Sequence, residues 1–453
     1  MESRRSSRCS RANPAPHRTR FEPKRSDTTL AERTLSDWLA YIERLHPRSI
    51  DLGLERVVAV LDALDLREPP YAIVTVGGTN GKGSTVAMCE AMLRAGGYRV
   101  GSYMSPHLVR YNERVRIDGQ AVSDDALCVA FERVEARRRD VQLTYFEYGT
   151  IAALDILRNA KVEIGVLEVG MGGRLDAVNA VDPDAAIVTS VGVDHTNWLG
   201  PDRESIGREK AGIFRAARPA ICGDLDPPQS LLETASRVDA SLYLYGRDFS
   251  ATPTEGGWTY ECRGRRRSGL PFPALRGDYQ LRNAACALTA LDTVADRFPL
   301  TQAQVRDGLL AAFVPGRFQV LPGLPSTILD VAHNADAARV FAANLRRHRV
   351  AGRTYAVFGM LADKDIAAVA QTVADQVDGW YVASLPGPRG GTAEDVSAML
   401  TKAGVRAPIE RFARVVEAYE AACARATPID RVLVFGSFYT VGDILAHLDA
   451  SSA

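Results

Sequence analysis

The sequence predicts an α/β fold built from two parallel-sheet domains. Three observations predict it. Short apolar runs of strand length alternate with segments of helical periodicity, the pattern of βαβ units. The strand-like run at 162–169 (VEIGVLEV) is apolar almost throughout, which suits a strand buried on both faces. The alternation breaks at Val314-Pro-Gly-Arg-Phe-Gln319 and then starts again.

Taken in order, residues 1–33 stand apart. Arg4, Arg5, Arg8, Arg11, Arg18, Arg20, Lys24 and Arg25 alternate with serines and prolines, and so few apolar groups cannot order a segment. This predicts a disordered basic extension. LSDWLAYIERL (35–45) has apolar residues at helical spacing, and a second helix runs to about Leu64 after Ile50-Asp-Leu-Gly-Leu-Glu-Arg56. A buried strand is expected at 71–76. Residues 77–83 form a glycine-rich turn, and a helix runs from Ser84 to about Ala95, where Gly96-Gly97 stops it. Further strands are expected at 98–104, 162–169 and 185–191, a helix at 123–139 and a hairpin region at 249–270. Beyond the break, strands are expected near 327–331, 354–359, 379–384 and 431–436, with helices near 335–347, 364–376, 393–403, 413–426 and 441–448. The domains are therefore 34–314 and 319–453, joined by a linker at 315–318.

Lys plus Arg and Asp plus Glu each number 55 in 453 residues. With no net charge there is no general electrostatic case for nucleic acid or an anionic membrane. No apolar run approaches membrane-spanning length. Seven cysteines, an odd number with no CxxC pair, predict reduced thiols in the cytoplasm rather than a disulfide framework or zinc site.

The chemistry concentrates at Gly77-Gly-Thr-Asn-Gly-Lys-Gly-Ser-Thr85. Strand, glycine turn and helix start together make a cradle for phosphate. Glycines let the backbone come close, and the free N–H groups of the first helical turn point at the anion. Lys82 adds a point charge, and Ser84 or Thr85 can reach a magnesium ion. The spacing departs from the Walker pattern, with Val76 where it needs glycine and Gly83 directly after the lysine. Glu168 closes an apolar strand beside Gly170, Gly172 and Gly173. A carboxylate there is costly unless paired or bound to metal, which makes it a metal candidate.

Thr79-Asn-Gly-Lys-Gly-Ser84 resembles the ATP loop of the Mur ligase family. From about Leu35 to about Leu448 the chain resembles the folylpolyglutamate synthase branch of that family, and within it the bacterial bifunctional dihydrofolate synthase/folylpolyglutamate synthases. Ser105-Pro-His-Leu-Val-Arg-Tyr-Asn-Glu-Arg-Val115, Thr144-Tyr-Phe-Glu-Tyr-Gly-Thr150, Gly192-Val-Asp-His-Thr-Asn-Trp-Leu-Gly200, Phe313-Val-Pro-Gly-Arg-Phe-Gln-Val320 and Leu329-Asp-Val-Ala-His-Asn334 carry the likeness, as do Phe358–Asp365 and Leu385–Gly390. The resemblance implies a P-loop ATPase-like parallel-sheet domain followed by a Rossmann-like domain with the glutamate ligase fold. It implies ATP and magnesium, two ions, with ATP held by Thr79, Asn80, Gly81, Lys82, Gly83, Ser84, Asn283, Arg317 and Asp330.

It further implies that Ser105, Glu168 and His195 hold one Mg²⁺. A carbamate on Lys210 would help hold a second, although Lys210 also reads as a phosphate-contacting or surface lysine. Lys82, Lys210 and His333 are the implied catalytic groups. Thr144, Tyr145, Phe146 and Glu147, with Leu175, Asp176 and Ala177, are the implied pterin side; Tyr145 and Tyr148 read equally as an aromatic core cluster starting a helix. Departures occur at Asn197, Tyr279 and Tyr439, where the family commonly has Asp, His and His. The implied activity joins L-glutamate to dihydropteroate and to reduced folates in a cytoplasmic monomer. Three other readings share the loop: a folylpolyglutamate synthase without the first activity, a cell-wall amino-acid ligase, and a nucleotide-binding switch that does not ligate. The cell-wall reading normally needs a nucleotide-sugar domain ahead of the loop, and only 77 residues precede Gly78.

Overall fold

The computed structural model describes residues 33–48 and 50–452. The expected basic extension lies outside the described residues apart from Arg33, whose guanidinium lies 5.0 Å from the Trp38 ring centre and 4.6 Å from that of Tyr41. No helix among the described residues is long and apolar enough to cross a membrane.

Among the described residues the first sheet has eight strands: β1 (Ala72–Gly77), β2 (Val100–Tyr103), β3 (Val115–Ile117), β4 (Gln120–Ala121), β5 (Ile164–Glu168), β6 (Ala185–Val188), β7 (Pro219–Cys222) and β8 (Ser241–Leu244). Their order is β4-β3-β2-β5-β1-β6-β7-β8. In that order the six strands from β2 to β8 pair in parallel, and β3 and β4 close one edge antiparallel. β7 and β8 have no counterpart in the sequence expectation. β8 runs at an edge and is only partly buried.

β1 lies at the centre with β5 and β6 on either side, and every one of its residues is buried. The helix after it spans Lys82–Ala95, two residues earlier than expected, and is buried from Gly83 to Leu93. It is enclosed by the helices Tyr279–Thr293 and Gln302–Ala311, which explains its weak polar face. The opposite face of the sheet is covered by Leu35–Leu45, Glu55–Ala63, Asp124–Arg138 and Tyr145–Asn159, packed through Trp38, Phe131 and Tyr148.

The expected hairpin region is a three-stranded antiparallel sheet, β9 (Phe249–Thr254), β10 (Gly257–Cys262) and β11 (Arg265–Leu270). Trp258 and Tyr260 on β10 are fully buried in the same cluster as Val74 and Val76 of β1, so this sheet belongs to the main core.

The chain then builds β12 (Gln319–Leu321), β13 (Ser326–Asp330), β14 (Thr354–Phe358), β15 (Gly379–Ala383), β16 (Ile409–Phe412) and β17 (Arg431–Phe435). Their order is β12-β13-β17-β14-β15-β16, parallel except for β12. Two apolar clusters sandwich this sheet, one around Phe341, Phe358 and Trp380, the other around Val357, Val434 and Ile444. Leu108 of the first domain packs against the second of these clusters. A side chain at Gly442 would overlap the Leu108 carbonyl oxygen, so glycine is needed for the two domains to approach this closely.

Candidate functional site

The loops after β1, β2, β5 and β6 open at the carboxyl ends of adjoining strands, the position where open parallel sheets bind ligands. The loop after β13 and the start of the last helix, Phe438–Ser452, face them from the second domain. One cavity of about 110 Å³ is walled by both sets: Gly78 to Lys82, Ser105, Glu168, Gly170 to Gly172, Asp194, His195, Lys210, Arg317, His333 and Phe438.

The glycine-rich loop after β1 is built around two positive-φ glycines. At Gly78 (φ +137°) a Cβ would overlap the Thr189 hydroxyl, and at Gly81 (φ +91°) it would meet Asn283 Oδ1 at 2.7 Å. Either would clash with a side chain as well as straining the backbone. The loop is tied to the neighbouring strand. Thr79 Oγ1 accepts from Gly192 N–H at 2.9 Å and donates to Gly192 C=O, and Asn80 N–H donates to Ser190 Oγ at 3.1 Å. Ser84 is buried and accepts from Gln280 Nε2, whose amide oxygen in turn accepts from Asn283 Nδ2. Thr79 and Ser84 thus hold the loop in shape.

Lys82 Nζ donates to the carbonyl oxygens of Gly78 and Thr79 at 3.2 and 3.3 Å. Its pKa is lowered by burial, with Glu168 opposing. Arg317 also has no acidic partner among the described residues; its guanidinium lies 5.5 Å from the Phe438 ring centre. Lys210 is 4% exposed with no hydrogen-bond or ion-pair partner for its amine among the described residues. Burial pushes its pKa down to about 7, with Lys82 adding to the shift. Three cations therefore meet in one small cavity with little local compensation, which is the charge balance of an anion site.

Glu168 is 4% exposed and accepts from Ser105 N–H at 3.2 Å. Burial raises its pKa, and the Lys82 charge opposes that. His195 stands in a left-handed turn (φ +54°) with its side chain 38% exposed, and partial desolvation together with the charges of Lys364, Lys82 and Lys210 lowers its pKa. A neutral imidazole, a buried carboxylate and the Ser105 segment fit a hard divalent cation that keeps other oxygen ligands. Among the described residues no three His, Cys, Asp or Glu side chains are arranged to hold a metal ion by themselves. A cation here would need oxygens from phosphate or water to complete its shell. Asn197, beside this turn, is exposed.

A second cavity of about 280 Å³ opens from the loop between the domains, lined by Asn80, Ser84, Tyr279, Asn283, Arg317, Asp330 and Phe341 among others. Asp330 accepts from Phe318 N–H and Ala332 N–H, each at 2.8 Å, and burial raises its pKa to about 6. His333 Nδ1 lies 2.8 Å from the Val331 carbonyl oxygen. A carbonyl only accepts, so Nδ1 carries the hydrogen and Nε2 offers its lone pair. Burial pushes this ring down to about 4.

The segments expected on the pterin side lie behind Gly170. Phe146 would be 2.5 Å from a Cβ at Gly170 and packs 6.1 Å from Tyr103. Thr144 and Glu147 form a capping box that starts the helix Tyr145–Asn159, and Glu147 also pairs with Arg56 at 2.9 Å. Tyr145 packs edge-on to Tyr111, and Tyr148 is fully buried. Asp176 accepts from Met171 N–H and Val178 N–H, and burial raises its pKa to about 6. It thereby shapes the Gly170–Met171 turn, with Leu175 half-buried and Ala177 buried beside it.

Asp194 lines the first cavity and Lys364 and Asn334 hold Asp194 and Asn80 from the second domain; the motifs contained all three without marking them. Asp194 Oδ1 accepts from Lys364 Nζ at 2.6 Å, and Asn334 exchanges amide hydrogen bonds with Asn80 at 3.2 and 3.3 Å. The one sequence signal was a charge beside His195 at a strand end; its partner lies 170 residues away.

Residues 76–291 match the Mur ligase middle domain and 316–438 the Mur ligase glutamate ligase domain. The dihydrofolate synthase/folylpolyglutamate synthase of Escherichia coli (strain K12) is 45% identical, over 93% of this chain and 97% of that one. The solved structure of E. coli FolC in complex with DHPP and ADP superposes with a TM-score of 0.89 at 44% identity, covering 94% of this chain and all of that one (100%). A bifunctional folylpolyglutamate synthase/dihydrofolate synthase with Mn, AMPPNP and L-glutamate bound superposes with a TM-score of 0.85 at 46% identity, covering 92% of this chain and 99% of that one. Two facing parallel sheets, the glycine loop between them and near full-length likeness lead to one conclusion: the chain belongs to the dihydrofolate synthase/folylpolyglutamate synthase family of Mur ligases.

Proposed function

We propose that this chain is an ATP-dependent ligase that joins L-glutamate to dihydropteroate, giving dihydrofolate, and further glutamates to reduced folates. The observation that carries it is the meeting of Lys82, Lys210 and Arg317 with the sparsely partnered Glu168 in one cavity between the sheets. That arrangement suits a triphosphate and a divalent cation, and the relatives are named for making dihydrofolate and folylpolyglutamate.

The acceptor carboxylate attacks the γ-phosphorus of ATP, the bond to the β-bridging oxygen breaks, and an acyl phosphate and ADP result. The glutamate amine then attacks the acyl carbon, and inorganic phosphate leaves. The loop amides and Lys82, released from the Gly78 and Thr79 carbonyls, hold the phosphates while Arg317 reaches them from the linker. Ser105, Glu168 and His195 would hold Mg²⁺, which when bound neutralises charge on the transferred phosphoryl group. With its pKa lowered to about 7, Lys210 carries a substantial fraction of neutral amine near pH 7, and that fraction is available to CO₂. The neutral amine adds to CO₂ and releases one proton, and the resulting carbamate would offer oxygens to a second ion. His333 Nε2 accepts a hydrogen bond from the incoming amine; with its low pKa it orients that amine rather than acting as a strong base.

Residues 34–314 supply the phosphate and pterin sides, 315–318 the linker arginine, and 319–453 the glutamate side. Closure of the two domains excludes water from an acyl phosphate that would otherwise hydrolyse. One chain supplies every group of this site, which suits a monomer. The six described cysteines are all unpaired, which suits the reducing cytoplasm.

The test supplies ATP, Mg²⁺ and glutamate with either dihydropteroate or tetrahydrofolate and reads glutamylated product by mass. Product from both is expected. Product from tetrahydrofolate alone leaves a monofunctional enzyme, and phosphate release indifferent to the amino acid leaves a nucleotide switch.

A further inference from the structure

Among the described residues, two ion pairs from lysine or arginine cross between the domains. Arg347 pairs with Asp278 at the surface, where the side chains are 58% and 73% exposed. Lys364 pairs with Asp194 inside the cleft, at 2.6 Å and with 10% and 13% exposure. An exposed pair of the first kind contributes little. Breaking a buried one leaves an uncompensated charge.

The inner pair does more than join two surfaces. Asp194 Oδ1, the oxygen that accepts from Lys364, also accepts from the backbone N–H of His195 at 2.8 Å. His195 is one of the non-glycine residues held at positive φ, and its carbonyl accepts from Trp198 N–H and Leu199 N–H at 2.9 and 3.0 Å. Such a conformation persists only where the surroundings enforce it. Asp194 Oδ2 is steadied by Asn334 Nδ2 at 3.4 Å, again from the second domain. One carboxylate therefore links the seating of the second domain to the turn that carries His195.

We infer that Lys364 is a positioning residue for the divalent cation: by holding Asp194 across the domain seam it fixes the left-handed turn that presents His195. The inference rests on His195 being a metal ligand, as proposed above. Its consequence is that the cation is held tightly only when the second domain is seated. Nucleotide bound in the gap and cation bound at the strand ends then support each other through the same seam.

The experiment titrates Mn²⁺ into the full chain with ADP present, reading free Mn²⁺ by its paramagnetic resonance signal. Lys364→Ala should weaken Mn²⁺ binding roughly 10–100-fold, the usual effect of losing a partner that orients a ligand. Lys364→Met, which keeps most of the side-chain volume, should do the same, so that a packing defect is not mistaken for a lost charge. ADP affinity measured without metal should fall much less than Mn²⁺ affinity. Lys364→Arg should recover most of the binding, and Arg347→Ala, which breaks the outer pair, should leave it at the parent value. Asp194→Asn should match Lys364→Ala, and the double variant should be no weaker than Asp194→Asn alone. Parent-like or tighter Mn²⁺ binding by Lys364→Ala overturns the inference, as does a change confined to the KM for glutamate. His195→Ala separates the two levels. If it weakens Mn²⁺ while Lys364→Ala does not, only the coupling fails. If it leaves Mn²⁺ binding unchanged, the ligand assignment itself fails.

Discussion

Glu147 and Glu168 are buried to the same degree, each 4% exposed, in the same domain. Glu147 accepts from Arg56 Nε and Nη2 and from Thr144 N–H, and Arg56 is itself tied to Asp51. Glu168 accepts from one amide, Ser105 N–H, and otherwise depends on the field of Lys82. Burial alone therefore does not mark a functional carboxylate. The oxygens of one are satisfied from within the domain, and those of the other are left short of partners, which makes it the candidate ligand group.

Replacing the cation beside Glu168 should have the largest effect. Lys82→Ala should cut ligation on the order of 10³-fold, because the lost charge acts on the transferred phosphoryl group. Steady-state turnover of a variant with parent-like circular dichroism measures this, and near-normal turnover would remove Lys82 from the phosphate site. Lys210→Ala should also lose most activity, and millimolar short-chain carboxylates should restore part of it if a carbamate is the working group. A crystallographic map showing an unmodified amine in the nucleotide complex would count against that.

Glu168→Gln should lower turnover on the order of 10²-fold and shift the Mg²⁺ titration upward, since an amide is a poor ligand for a hard cation. Its melting temperature should stay level or rise, because a poorly compensated buried charge is gone. Glu147→Gln should reverse this pattern. It leaves Arg56 short of a partner and weakens a helix cap, so stability should fall by about 1–3 kcal/mol with the Mg²⁺ titration unchanged. If both variants moved the same observable, the contrast between the two carboxylates would collapse.

A narrower effect, confined to one pH window, concerns Asp330, intermediate between them with two backbone partners. Burial raises its pKa from 3.8 to about 6. The folded state then binds more protons than the unfolded state between those values. Stability contributed by this group therefore falls as pH rises from about 4 to about 6, and the penalty is fully present above that window. Asp330→Asn should flatten the slope of denaturation free energy against pH over this range. An unaltered slope would mean that Asp330 is ionised throughout.

Much of the site was legible because it is local. The glycines at 78 and 81, Lys82 and the helix start fall within one short string, which specifies a turn that only glycine tolerates. Glu168 was legible from its place at the end of an apolar run. The capping box of Thr144 and Glu147 was also legible in principle, since Thr-x-x-Glu before an apolar helix is a start signal. The aromatic residues between them drew attention instead to a pterin. β16 (IERF), a partly exposed edge strand, was not legible because two charged residues interrupt its apolar pattern.

The sequence by itself determined the alternation of strands and helices, the break at the linker and the phosphate loop, because each depends on neighbours within a few residues. The tertiary structure alone decided which charges stay unpaired. Arg56 reaches Glu147 across 91 residues and Lys364 reaches Asp194 across 170. Glu168 and Lys210 keep their sparse surroundings only because two sheets face each other across the cleft. A side chain's charge is written in the sequence, but its compensation depends on what folding brings within a few ångströms.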